Sequence, residues 1–147
     1  MKIHQLSVFL ENKPGCLSAP CRVLADAGIN IHTLSLADTK QFGILRLIVR
    51  NWAKAKEVLE SSGSVVNVDE VLAIEVEDKP GGMAGVLESI ERAGLNIEYM
   101  YAFTIRRGDK AILVFRFENP EAAIAALAKQ GVNVVDSVSL YDLADNA

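Results

Sequence analysis

Glu11-Asn12-Lys13-Pro14-Gly15 and Glu77-Asp78-Lys79-Pro80-Gly81 are two versions of one short segment, separated by 66 residues. At the same separation, Ala27-Gly28-Ile29-Asn30-Ile31 matches Ala93-Gly94-Leu95-Asn96-Ile97. Across positions 11 to 31, eight residues are identical in the two copies. Ordinary composition gives about one or two such matches by chance. Further along, Arg50-Asn51-Trp52 aligns with Glu118-Asn119-Pro120 at a separation of 68. The larger separation fits a longer hairpin in the second copy, around Arg107-Gly108-Asp109-Lys110. The chain therefore reads as a duplication, with one domain over 1–70 and a second over 71–147. No linker rich in Pro, Gly or Ser marks the junction.

Each copy shows the same order of elements. In the first, Leu6, Val8 and Leu10 alternate with Gln5, Ser7 and Phe9, the period of a strand. Pro14-Gly15 breaks that pattern. Leu17, Cys21, Leu24 and Ala25 recur at helical spacing, and Gly28 stops the helix. Pro20 requires this helix to begin late, near Ser18 or Ala19. Ile29, Ile31 and Thr33 open a second strand, and Leu45, Leu47 and Val49 mark a third. A helix follows over about 53–61, then a strand at Val66 and Val68. In the second copy Leu72, Ile74 and Val76 mark a strand, followed by a helix over 83–93. Strands come next near 95–105 and 111–117. A helix starts at Pro120 behind Asn119 as cap, and a last strand is expected over 132–140. The order is βαββαβ twice. It predicts an α+β protein of tandem ferredoxin-like modules, with antiparallel sheets and helices on one face.

Such sheets leave a second face uncovered. Here that face would carry Ser7, Phe9, Ile44, Arg46, Ile48, Ala73, Glu75, Met100, Ile112 and Val114. This set is too apolar for open water, and a homodimer that covers part of it is expected.

Bulk properties narrow the function. The 147 residues are half hydrophobic and carry a net charge of −4. Lys and Arg are scattered, the opposite of a nucleic-acid-binding stripe. No apolar run is long enough to span a membrane, and the N-terminus lacks a signal-type segment, so a cytoplasmic protein is expected. Cys16 and Cys21 have neither redox nor metal spacing and read as reduced thiols in packing roles. His4 and His32 fall on separate strands without metal-ligand spacing. A Cys16 nucleophile at a helix start has no base to serve it. Glu75, Glu77 and Asp78 read as a solvated strand end. Phosphate- and dinucleotide-binding glycine loops are absent. No catalytic residue, cofactor or metal is expected.

The doubled Lys-Pro-Gly turn, with Ala-Gly-(Ile/Leu)-Asn-Ile closing each first helix, resembles the ACT-domain family over essentially the whole chain. The resemblance implies a regulatory module of amino-acid metabolism that acts on a partner enzyme. It also implies an amino acid or similar small ligand, held where the loop after strand 1 meets a neighbouring module. Mapped onto this chain, the candidate site residues are Asn12, Gly15, Cys16, Leu17, Asn30 and Ile31 in the first copy. In the second they are Asp78, Gly81, Gly82, Met83, Asn96 and Ile97. A helix N-terminus offers N–H groups to a carboxylate, Asp78 suits an ammonium group, and the glycines admit close approach to the backbone. The alternative is a structural or assembly protein that has lost ligand binding.

Overall fold

A computed structural model describes residues 1–38 and 40–146. The chain divides into two compact units. His4–Asp69 forms the first, and Met1–Ile3 with Glu70–Ala147 forms the second. Lys2 ties the N-terminus to the second unit, with Nζ 3.0 Å from Glu70 and 2.9 Å from Glu121.

The first unit is built from β1 (Ile3–Glu11), α1 (Ser18–Asp26), β2 (Thr33–Asp38), β3 (Phe42–Ile48), α2 (Trp52–Ser61) and the opening of β4 (Val65–Glu77). Its strands run in the order β2-β3-β1, with β4 beside β1. The remainder of β4 begins the second unit. There follow α3 (Gly82–Arg92), β5 (Ile97–Ala102), β6 (Lys110–Phe117), α4 (Pro120–Lys129), β7 (Val134–Val135) and α5 (Ser137–Asp145). Here β4 lies between β7 and β6, with β5 outermost. Both units thus place their first strand between the third and the fourth, the ferredoxin-like order read from the sequence.

Strand alternation sorts the side chains. Leu6, Val8, Leu45, Leu47 and Val66 join Leu24 of α1 and Leu59 of α2 in one core. Leu72, Ile74, Leu113, Phe115 and Phe117 join Ile90 of α3 and Leu127 of α4 in the other. Each such side chain contributes about 1.5–3 kcal/mol on leaving water.

The repeat extends to the hydrogen bonds. At the ends of α1 and α3, Ile29 N–H donates to the Leu24 carbonyl and Leu95 N–H to that of Ile90, at 2.9 and 3.2 Å. Asn51 Oδ1 accepts from Lys54 N–H at the start of α2, and Asn119 Oδ1 from Ala122 N–H at the start of α4.

The structure departs from the sequence reading in four places. Val65–Glu77 is one unbroken strand of 13 residues rather than two, because neither Gly nor Pro interrupts it and Val recurs along its length. Strand β2 starts at Thr33, so Ile29, Ile31 and His32 precede it. The strand expected over 132–140 shrinks to Val134–Val135, and α5 takes its place. The apolar residues that suggested alternation lie on a helix capped by Asp136, whose Oδ1 accepts from Ser139 N–H at 2.8 Å. On the face expected to need a partner, Ile48, Ala73, Ile112 and Val114 are already buried within the single chain. Phe9 and Met100 are the members of that set with large exposed apolar surface, at 42% and 36%.

Two outcomes follow for the caps. Asn51→Ala and Asn119→Ala should each lower the unfolding free energy by about 1 kcal/mol, measured by urea denaturation. The hydrogen bonds from Ser139 hold the Asp136 carboxyl below its ordinary value. Its contribution is therefore present above the unfolded-state carboxylate pKa and is lost as pH falls through the lower folded value. Carboxyl NMR titration should show a midpoint below that of an unperturbed aspartate, and Ser139→Ala should move it upward.

Candidate functional site

The strand-to-helix turns after Glu11 and Glu77 share one construction. Gly15 and Gly81 sit at φ of +89° and +88°, a region open to glycine at little cost. Ala19 N–H donates to the Gly15 carbonyl and Gly85 N–H to that of Gly81, at 3.1 and 2.9 Å. Cys16 N–H donates to the Lys13 carbonyl and Gly82 N–H to that of Lys79. Each turn also carries a Lys–Glu pair, Lys13–Glu11 at 2.6 Å and Lys79–Glu77 at 3.0 Å. The first of these pairs holds the Glu11 carboxyl below its usual value and the Lys13 ammonium above.

The helices that leave these turns differ from the rest. Side chains of Asn51, Asn119 and Asp136 cap α2, α4 and α5, whereas no side chain caps α1 or α3. Their first N–H groups therefore meet no capping carboxylate or amide. Helix α3 begins at Gly82, whereas α1 begins two residues later in the repeat, at Ser18. Pro20 has no N–H to donate to the carbonyl of residue 16, which delays α1.

Clefts lie beside both turns. In the second unit one of about 300 Å³ is lined by Glu75, Glu77, Gly82, Gly85, Lys110 and Asn133, among others. In the first, one of about 380 Å³ is lined by Glu11, Asn12, Pro14, Leu17 and Leu36, and an apolar one of about 410 Å³ by Phe9, Ala37, Phe42 and Ile44.

The candidate residues fall into two groups. Asn12, Gly15, Cys16 and Leu17 lie in or beside the first turn, and Asp78, Gly81, Gly82 and Met83 in or beside the second. Asn30, Ile31, Asn96 and Ile97 are elsewhere. Glu11 and Asp38 both pair at the start of β3, opposite Phe42 and Gly43, whereas Thr33 pairs with Ile48 at its end. Asn30 thus lies a whole strand from Asn12 within its own unit, about 17 Å at the usual rise. The second unit repeats this: Glu77 pairs with Lys110, and Ile97 with Phe117. The turn and the asparagine of one unit therefore lie at opposite ends of its sheet. Ile31, Met83 and Ile97 pack against the cores.

Glu77 and Asp78 of the acidic run are exposed as expected, with side chains at 57% and 53%, but Glu75 is not. The Glu75 side chain is 8% exposed and sits 3.0 Å from Arg107 Nη1 and 3.8 Å from Lys110 Nζ. Asp78, assigned above to a ligand ammonium, pairs instead with Arg106 at 2.9 Å. The sequence reading missed Lys110, Gln130 and Asn133 as lining residues. Only the strand register brings Lys110 beside Glu77. Asn12 Nδ2 donates to the Lys40 carbonyl at 3.3 Å.

His4 stacks on Trp52 at 4.4 Å in the first unit, and Cys16 and Cys21 are half-buried free thiols. Among the described residues no group of three or more His, Cys, Asp or Glu is placed to hold a metal ion. Among the described residues no helix is long and apolar enough to cross a membrane.

A family model described as an ACT domain pair matches residues 1–144. Among solved structures, protein BT0572 from Bacteroides thetaiotaomicron is similar at 38% identity and a TM-score of 0.88, over 97% of this chain and 98% of that one. The ligand-free regulatory subunit of aspartate kinase from Thermus thermophilus shares the fold at 18% identity and a TM-score of 0.63, over 86% and 91%. The acetolactate synthase small subunit of Buchnera aphidicola subsp. Baizongia pistaciae is 30% identical over 81 residues, 54% of this chain and 50% of that protein. The chain thus matches about half the length of that curated relative.

The second turn has a sharp steric test. A Cβ at Gly82 would sit 1.9 Å from the Glu77 carbonyl oxygen, whereas the same space at Gly81 is open. Gly82→Ala should force the turn to move and lower stability by about 1–3 kcal/mol, the range for overpacking. Thermal or urea unfolding measures it, and Cys16→Ala in the first turn serves as the comparison.

Proposed function

The chain belongs to the ACT-domain-pair family, and from that premise we propose that it binds a free amino acid and regulates a partner enzyme of amino-acid metabolism. The observation that carries this reading is the pair of turns: α1 and α3 start without a capping side chain, and each has a cleft of a few hundred Å³ beside it. A helix start that no side chain caps, with the positive end of the helix dipole, suits a carboxylate. The Thermus protein is named as a regulatory subunit, and the Buchnera protein as the small subunit of a synthase. That company supports a regulatory rather than a catalytic role; a cytoplasmic location is part of the same proposal.

A homodimer is proposed on the exposure of Leu34, Leu36 and Phe42, at 50%, 48% and 59%. One observation favours a purely structural role: Asp78 already has Arg106 as its partner.

A melting-temperature screen against the twenty L-amino acids decides between the two. A ligand at about 100 times its Kd adds about 2.7 kcal/mol to the native state, so one or a few amino acids should raise the transition by several degrees. If none shifts it, the sensor reading is lost and the structural role stands. Light scattering that shows only a 15.9 kDa species at micromolar concentration overturns the dimer.

A further inference from the structure

The geometry points to a division of labour between the modules: one small carboxylate-bearing ligand per chain, held in the second module's cleft between α3 and the turn after α4, with Lys110 as its counter-charge. This inference rests on the reading of the chain as a sensor.

The cleft lies wholly within one module and measures about 300 Å³, lined by Glu77, Gly82, Gly85, Lys110, Gln130 and Asn133 among others. That volume is at the low end for small-molecule sites, the size for an amino acid. Its charged lining residues are Glu75, Glu77 and Lys110. Arg107 holds Glu75 at 3.0 Å and Lys79 holds Glu77 at 3.0 Å, both from outside the lining, whereas Lys110 is 3.8 Å from Glu75. Lys110 is therefore the loosely engaged charge of the cleft, and the two carboxylates already have closer cations. Toward the far end of α3, Arg92 donates to two neutral oxygens, Ser89 Oγ at 3.0 Å and Gln130 Oε1 at 3.4 Å. The amide side chains of Gln130 and Asn133 offer donors and acceptors without charge. An anionic group finds both compensation and hydrogen bonds here. Nothing lies within 4 Å of the place a Cβ would take at Gly85, so the helix surface beside the cleft is bare backbone.

The first module has none of this at the matching positions. The repeat sets Phe9 against Glu75, Cys16 against Gly82 and Ala19 against Gly85. The registers set Phe42, opposite Glu11, against Lys110, opposite Glu77. Where the second module places an ion pair, the first places two aromatic rings, 42% and 59% exposed. The first module retains the turn and its Lys13–Glu11 pair but has no counterpart of Lys110 or Glu75.

Calorimetry on the full chain tests this, with whichever L-amino acid raises the melting temperature most and with the amine that remains when its carboxylate is removed. The expected result is one amino acid bound per chain and no binding of the amine. Lys110→Met should weaken binding about tenfold or more, the effect of removing one charged hydrogen bond. Gly85→Leu should abolish binding without lowering the ligand-free melting temperature, because its side chain enters open space. Ala19→Leu, its counterpart in the first module, should bind like the unaltered chain. Two ligands per chain, or unaltered binding by Gly85→Leu and Lys110→Met, overturns the inference and leaves the sensor reading intact. If no amino acid stabilises the unaltered chain, the sensor reading fails first and this inference with it.

Discussion

The rest of the structure depends on a reversal of the chain at Gly15 and again at Gly81. Each first strand must hand over to a helix that lies back along the sheet, and the backbone does so by passing through a left-handed residue. A side chain there would strain the turn. Once the reversal is made, Leu24 and Ile90 are carried over their sheets to close the two cores. The same reversal leaves the first helix of each module without a capping side chain, next to a cleft. Packing and binding surface come from one local conformation.

Much of this was legible in the sequence because it is written in local chemistry. The doubled Pro-Gly, the glycine after each first helix and the Asn caps act over a few residues, so spacing alone places them. The parts that were not legible depend on partners distant in the chain. Glu75 looked like one member of an acidic run, yet its cations sit on the β5–β6 hairpin. Asn30 and Asn96 were grouped with the turns through the family resemblance, not through anything in their spacing. Strand register puts them at the other end. The last element misled for another reason. Val134, Val135, Val138 and Leu140 mimic a strand, and a single capping side chain, Asp136, turns the segment into a helix.

The duplication shows which features the fold demands and which are free to change. Turn geometry, helix caps and core positions agree between the copies down to individual hydrogen bonds. The surface beside each turn does not. Phe9 and Phe42 occupy the places that Glu75 and Lys110 hold in the other copy, and the strands pair in matching register despite the exchange. The sheet therefore constrains only the inward half of each strand, and the outward half can take up different chemistry in each module.

Helix α3 opens on Gly81-Gly82-Met83-Ala84-Gly85 with no side-chain cap, whereas α4 opens on a capping Asn and a Pro and is rich in Ala. A glycine within a helix costs about 0.8–1.0 kcal/mol relative to alanine, and glycine in place of a capping Asn, as at Gly81, costs a few tenths more. The first turn of α3 is thus the least self-sufficient helical turn of its module, held by the tertiary fold and not by its own sequence. Segments of this kind open locally at a lower free-energy cost than their surroundings. A molecule that settles against this turn would quench that opening, and the signal it sends would be a change in local motion before any change in shape.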